Sequence, residues 1–372
     1  MKKLSATLAE VNLINIENNI REIKEIVSPS TKIMAVVKAD GYGHGAVEVS
    51  KAALRAGVEY LSVATLKEAM ELREAGIGSP VLILSESIQD GTGKVIDLDI
   101  SQTVYTYKLA ESLSKEAKKK NKKARIHVKI DTGMGRVGVS PKDAVALIKK
   151  ISALDNMIIE GIFTHFSKAE NVEDDFTRRQ FKAFKEVLSH VETNGFKIPI
   201  KHSANSAAAL FYPETHLDMI RIGLSIYGLY PQGNPSRPIN LKPALSFKTK
   251  VMYLKTVPAG TPLSYGGTYV TNKETTIATL PVGYADGLSR RLSNRGSVLI
   301  GGKRFPIVGN VCMDLTLVDA GDAPIKLGDE VVLIGSQGSE EITADEIAEL
   351  ENTINYEVVC GIGKRVPRVY IK

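Results

Sequence analysis

The sequence predicts an α/β protein: an N-terminal (β/α)8 TIM barrel over residues 1–238, then an antiparallel β domain over residues 239–372. Three observations predict it. Up to about residue 237, eight short apolar runs alternate with amphipathic, charge-bearing stretches. Past residue 238 the helical texture vanishes, and β-type runs punctuated by glycine and proline take over. Between the two lies PQGNPSRPINLKP (231–243), which carries four prolines and marks the boundary.

The eight runs fall at residues 32–37, 59–64, 80–84, 101–106, 125–130, 157–166, 198–203 and 218–223. Near-continuous apolar runs are what buried parallel strands look like when helices cover both faces. Helices are expected at 46–56, 66–75, 107–121, 141–152 and 174–194, and again after residue 205. Each strand-plus-helix step spans roughly 25–35 residues, the size of a right-handed βαβ unit, and eight such steps make a barrel. In the second half, β-type runs occupy 244–257, 275–282, 297–300, 305–308, 315–318 and 330–334.

At 372 residues the chain is long enough for two cores. No stretch approaches the ~18 apolar residues of a membrane span. Thr7, Glu10, Asn12, Asn15 and Glu17 interrupt any leader-type apolar segment after Met1-Lys2-Lys3. Cys312 and Cys360 are too few for a disulfide scaffold and wrongly spaced for zinc. A cytoplasmic protein without a metal or a membrane is expected. Much of the excess behind the net charge of +6 sits in KEAKKKNKKAR (115–125), which has no aromatic for base stacking. That run reads as a solvated helix face, so no nucleic-acid partner is expected.

Catalytic groups of such barrels sit at the C-terminal ends of strands. The first run ends in VVKADGYGHG (36–45). A lysine at the lip of an apolar strand is a plausible Schiff-base nucleophile, although most rim lysines simply reach for solvent. The last two runs end in HSANS (202–206) and RIGL (221–224), where barrels often bind phosphate. A serine hydroxyl and backbone N–H groups at a glycine suit a phosphate, but Ser203 could equally cap the following helix. Arg221 is more telling, because a buried arginine needs a partner and keeps its proton. His165 ends the sixth run at the same mouth; a lone histidine there is more often structural.

The motifs VVKADGYGHG (36–45), KIDTGMGRVG (129–138), THFSKA (164–169), HSANSAA (202–208), RIGLSIYG (221–228), SYGGTY (264–269), VGYADG (282–287), VGNVCMD (308–314) and RVPRVY (365–370) span both halves. In this order the set resembles the alanine racemase family. The resemblance implies a homodimer with shared active sites, pyridoxal 5'-phosphate (PLP) as cofactor, and L- and D-alanine as substrates. It implies that Lys38 holds the cofactor and that Tyr42, Ser203, Gly223, Leu224 and Tyr356 hold its phosphate. Arg221 would bond the pyridine nitrogen, Arg136 would contact the phenolic oxygen, and His165 would lie beside the cofactor. Tyr265 would act from the second subunit, near Met313, with Arg136 and Met313 facing the substrate. Lys129 matches a position that members of the family carbamylate. The family usually has an acidic residue where Asn12 stands, and commonly Arg and Gln where Asn310 and Leu315 stand; these positions are expected to flank the site.

Racemisation needs a proton removed from Cα on one face and returned on the other. Lys38 and Tyr265 are the expected pair. An ordinary tyrosine titrates near ~10 and needs help to act near neutrality, which a cationic neighbourhood of Arg136, His165 and Arg221 would give. The rivals are a racemase of broader range, such as one acting on serine, and a non-catalytic PLP-binding protein. The 130-odd residues beyond Ile239, with SYGGTY and VCMD, weigh against the latter. A supply of D-alanine for peptidoglycan follows from the resemblance.

Overall fold

The computed structural model describes residues 5–85, 91–231 and 237–372, so residues 232–236 of the proline-bearing stretch lie outside the described residues. The chain divides into two compact units. One holds Ile16–Gly41 and Ala46–Lys242; the other holds Met1–Asn15, Tyr42–Gly45 and Pro243–Lys372. The N-terminal strand β1 (Leu8–Asn12) therefore belongs with the later residues, not with the barrel that follows it.

In the first unit, β2 (Lys32–Val36), β3 (Tyr60–Val63), β4 (Val81–Ile83), β5 (Ser101–Val104), β6 (Ala124–Lys129), β7 (Met157–Phe163), β8 (Ile200–His202) and β9 (Met219–Ile222) form a closed barrel. Every neighbouring pair is parallel, and β2 pairs with β9 to close the ring. All eight apolar runs are strands. Every residue of β3, β5 and β9 is buried, as strands covered on both sides require. Met34, Tyr60, Leu82, Ile200 and Met219 pack together in this core. The helices start where side chains satisfy their first N–H groups. Thr65 and Glu68 make a reciprocal cap for Leu66–Glu74, Thr106 caps Tyr107–Lys119, and Asn205 caps Ser206–Phe211.

One strand pair is irregular. Between Ile126 and His127 the β6–β7 register slips: Ile126 faces Ile159, but His127 faces Gly161. Glu160 is the extra residue of a bulge, a device that re-aims a side chain and is rare between parallel strands.

The second unit carries a seven-stranded sheet in which β1 runs antiparallel to Leu245–Lys250 and parallel to Arg368–Ile371. A separate three-stranded antiparallel sheet joins Tyr253–Val257, Thr275–Leu280 and Thr316–Gly321. The expectation that helices vanish past residue 238 is corrected: Ala344–Glu351 and Asn355–Cys360 are helical. Thr343 caps the first by accepting from Glu346 N, a signature the sequence displays as Thr-x-x-Glu. Among the described residues no helix is long and apolar enough to cross a membrane.

Candidate active site

Lys38 stands one residue beyond the end of β2, after Val37, and is half-buried. The next three residues wind the wrong way: Ala39 and Asp40 both have φ 52° and ψ 49°, and Gly41 has φ 60° and ψ 44°. Gly41 N still donates to Val37 O at 2.9 Å, closing a left-handed turn. That hand costs an L-residue about 1–2 kcal/mol, so the surroundings must hold it. They do so at both ends: Ala39 N donates to Glu68 Oε1 at 2.7 Å, and Asp40 Oδ1 accepts from Ala46 N at 2.9 Å. The turn sets the course of the backbone immediately after Lys38.

Arg221, near the end of β9, is 3% exposed. Nη1 donates to His202 Nδ1 at 3.0 Å; Nη2 donates to the carbonyls of Thr164 (2.8 Å) and Ser203 (3.0 Å) and approaches His165 Nδ1 at 3.3 Å. The guanidinium also lies over the Phe163 ring, 5.2 Å from its centroid. Burial pushes its pKa down to about 9, which leaves it cationic at neutrality. Among the described residues no carboxylate pairs with it, and its Nε–H has no hydrogen-bond acceptor.

That buried charge adds to the effect of burial on its neighbours. Burial, then Arg221, Lys129, Arg136 and Lys38, holds His165 well below the ordinary histidine range. His165 is therefore neutral, which corrects its expected place in a cationic neighbourhood. Burial, then Arg136 and Arg221, lowers Lys129 to about 8, so at neutral pH about a tenth of it is the free amine, far more than for an ordinary lysine. Arg136 itself is exposed on the loop after β6.

Ser203 Oγ donates to Thr215 O at 2.6 Å, and Asn205, not Ser203, caps the helix. Gly223 N donates to Ser206 Oγ at 2.9 Å, within the turn that Leu224 begins. In that same turn Ser225 Oγ is buried without a hydrogen-bond partner. Ser206 and Ser225 were not read from the sequence as site residues; the available signal was their place, Ser206 closing HSANS and Ser225 following RIGL.

In the second unit, the Tyr42 and Tyr356 rings lie 6.1 Å apart, and burial with Tyr356 nearby raises the Tyr42 phenol far above its ordinary value. Gly43 (φ 79°) admits no side chain, since a Cβ there would come 2.2 Å from Val359 O. Tyr265 is 71% exposed and Met313 52%. Ser264, just before Tyr265, has φ 60°. Asn310, expected to flank the site, is tied to its tyrosine: Asn310 Nδ2 donates to Tyr265 O, and Ser264 Oγ donates to Asn310 O. Asn12 Oδ1 accepts from Asn15 N, a bond an acidic residue there would also make.

The chain matches a family model described as the alanine racemase N-terminal domain over residues 11–231, and one described as the C-terminal domain over residues 244–370. The alanine racemase of Halothermothrix orenii is 48% identical over 365 residues, covering 98% of this chain and 96% of that protein. Alanine racemase from Clostridium difficile 630 superposes with a TM-score of 0.96 at 41% identity, covering 100% of this chain and 97% of that one. A crystal structure of alanine racemase from Bartonella henselae with covalently bound pyridoxal phosphate superposes with a TM-score of 0.89 at 30% identity, covering 99% and 100%. Barrel, β unit and sequence agree from end to end, and the chain belongs to the alanine racemase family.

Proposed function

We propose that this chain interconverts L- and D-alanine with PLP by a two-base mechanism in which Lys38 and Tyr265 serve opposite faces of the substrate Cα. One observation supports it most: Arg221 is a buried cation with no carboxylate partner and an N–H left over. Such a group fits a ring nitrogen that must accept, and the partnerless Ser225 hydroxyl in the Gly223–Leu224 turn fits an anionic phosphate. Lys38 would anchor the cofactor; Ser203, Gly223, Leu224, Tyr42 and Tyr356 would hold its phosphate.

Bound PLP supplies the electron sink that makes an amino acid's Cα–H acidic enough to ionise. The protein's own side chains then direct the proton. Arg221 keeps its own proton and can only donate, so it does not protonate the ring nitrogen, and negative charge stays nearer Cα. That favours return of the proton to Cα over transamination. The Lys38 amine moves the proton on one face and the Tyr265 phenol on the other. His165, held well below the ordinary histidine range by burial and by Arg221, is a weak proton acceptor and does not compete for the proton. Arg136, whose charge acts on Lys129, would face the cofactor's phenolic oxygen and the substrate, and Met313 would limit the space for the side chain.

Tyr265 and Met313 are large side chains left exposed in a single chain, and this supports a homodimer in which each supplies Tyr265 to its partner. Neither Cys312 nor Cys360 is in a disulfide, which fits a cytoplasmic enzyme supplying D-alanine for peptidoglycan. The test is L-alanine incubated with the PLP-loaded protein in heavy water, followed by chiral separation with mass detection. Deuterated D-alanine approaching half the total is expected. Deuterium confined to L-alanine would remove Tyr265 from its role, and no exchange with alanine but exchange with serine would favour the broader racemase.

A further inference from the structure

Behind Arg221 a line of polar side chains crosses the buried interior of the barrel. His202 Nε2 lies 2.8 Å from His127 Nδ1, and His127 Nε2 lies 3.2 Å from Glu160 Oε2. Both histidines are fully buried. The direction of every bond follows from one end. Arginine has no acceptor, so Arg221 must donate to His202 Nδ1. His202 then carries its proton on Nε2 and donates to His127 Nδ1. His127 in turn carries its proton on Nε2 and donates to Glu160. Two neutral imidazoles are thus held in one tautomer each, between a cation and a carboxylate.

The fold makes specific provision for the far end. Glu160 is the extra residue of the β6–β7 bulge, and the next residue, Gly161, has no side chain for a reason: a Cβ there would come 2.2 Å from His127 Nδ1. Burial would raise the Glu160 carboxyl, but hydrogen bonds from His127 and Ser101 (Oγ to Oε2, 2.7 Å), with Arg125 nearby, outweigh it and keep it ionised. His202 is further fixed by stacking on Phe163.

We infer that Glu160 is a positioning residue for the reaction: through His127 it fixes the tautomer of His202, and so holds Arg221 aimed as a donor toward the cofactor ring. The inference rests on the role proposed for Arg221 as a donor to the cofactor. Replacing Glu160 with an apolar residue strands the Nε2 proton of His127. The remedy open to His127 is the other tautomer, which sets its Nδ1 proton against that of His202. His202 must then give up Nε2–H, and its Nδ1 no longer accepts from Arg221.

The test starts with the PLP-loaded wild-type protein carrying isotope-labelled histidine, using NMR of the ring nitrogens. Both His127 and His202 are expected neutral with the proton on Nε2; a proton on Nδ1 of either overturns the proposal without any variant. Glu160→Leu is expected to remove the single tautomer of His202, shift the absorbance of bound PLP, and lower kcat by roughly tenfold, the scale of one lost bond to a charged acceptor. KM for alanine should move far less, and Glu160→Asp should restore part of kcat. An unchanged His202 tautomer and unchanged kcat in Glu160→Leu overturn the proposal. If Glu160→Leu does not fold, Gly161→Ala displaces His127 from the other side and is expected to give the same spectral signature. Arg221→Lys separates the two readings: if it leaves the absorbance of bound PLP unmoved, Arg221 does not face the ring, and the role of Glu160 fails with it whatever the tautomers.

Discussion

Asn310 Nδ2 donates to the carbonyl oxygen of Tyr265 at 2.6 Å. The bond reaches across 45 positions of sequence to the backbone of the proposed second base, and it is returned by Ser264 Oγ to Asn310 O at 2.6 Å. Tyr265 is therefore steadied through its main chain while its ring stays exposed.

Asn310→Ala removes one neutral hydrogen bond, worth about 1 kcal/mol, from that turn. If Tyr265 acts in the reaction, kcat should fall about fivefold with KM little changed. Steady-state kinetics checks it; an unchanged kcat would mean that the bond does not hold the base in place.

Arg221→Glu exchanges a forced donor for a group that can share a proton with the ring nitrogen. Transamination should rise relative to racemisation, read as the partition ratio during turnover with alanine. The new carboxylate would also face the carbonyls of Thr164 and Ser203, so a loss of about 3 kcal/mol or more in stability is expected. An unchanged partition ratio sinks the argument about reaction choice.

Lys129 makes stability depend on pH in the alkaline range. Its pKa is about 8 in the folded state against 10.5 when unfolded, so between those values the unfolded chain binds more protons. Stability from this group should therefore rise as pH climbs from about 8 to 10.5, and the rise should vanish in Lys129→Met. Thermal melts in bicarbonate-free buffer check this. With isotope-labelled bicarbonate added near neutrality, the amine fraction is expected to take up label as a carbamate; absence of label would leave Lys129 an unmodified lysine.

Ala39→Gly tests the left-handed turn after Lys38. Relief of about 1–2 kcal/mol of strain is partly offset by glycine's greater freedom when unfolded, about 0.5–1 kcal/mol. A net gain of about 0.5–1 kcal/mol in stability is expected, together with lower activity as the backbone after Lys38 loses its set course. A gain in both would show that the strain does not serve the lysine.

The barrel was legible because its strands are covered on both faces, so β3 and β9 read as apolar runs. Strand β1 and the helix Leu13–Glu25 were not legible, for opposite reasons. Five residues of mixed polarity give β1 little pattern of its own. The helix hides in isoleucines that favour strands, and the spacing of the buried Ile16, Ile20 and Ile23 was its readable sign. Lys38, Arg221 and Tyr265 stood out because their motifs did. His127 and Glu160 did not, since a polar residue inside an apolar strand says only that something inside the barrel is polar. Which partner it meets depends on a bulge that no local pattern announces.

Thr7 and Thr249, 242 positions apart, share a hydrogen bond of 2.8 Å beside the pairing of β1 with Leu245–Lys250. On a ribosome, at roughly 5–20 residues per second, the earliest strand waits on the order of ten to fifty seconds for that neighbour, and longer for Arg368–Ile371 on its other side. The barrel closes sooner: β2 also waits for its last neighbour, β9, but that strand has emerged by residue 222. Synthesis thus delivers the lysine-bearing half of the enzyme first and leaves an early strand with two open edges. The tyrosine-bearing half can settle only when the last strand arrives, so a nascent or truncated chain carries Lys38 and Arg221 before it has Tyr265 or Tyr356.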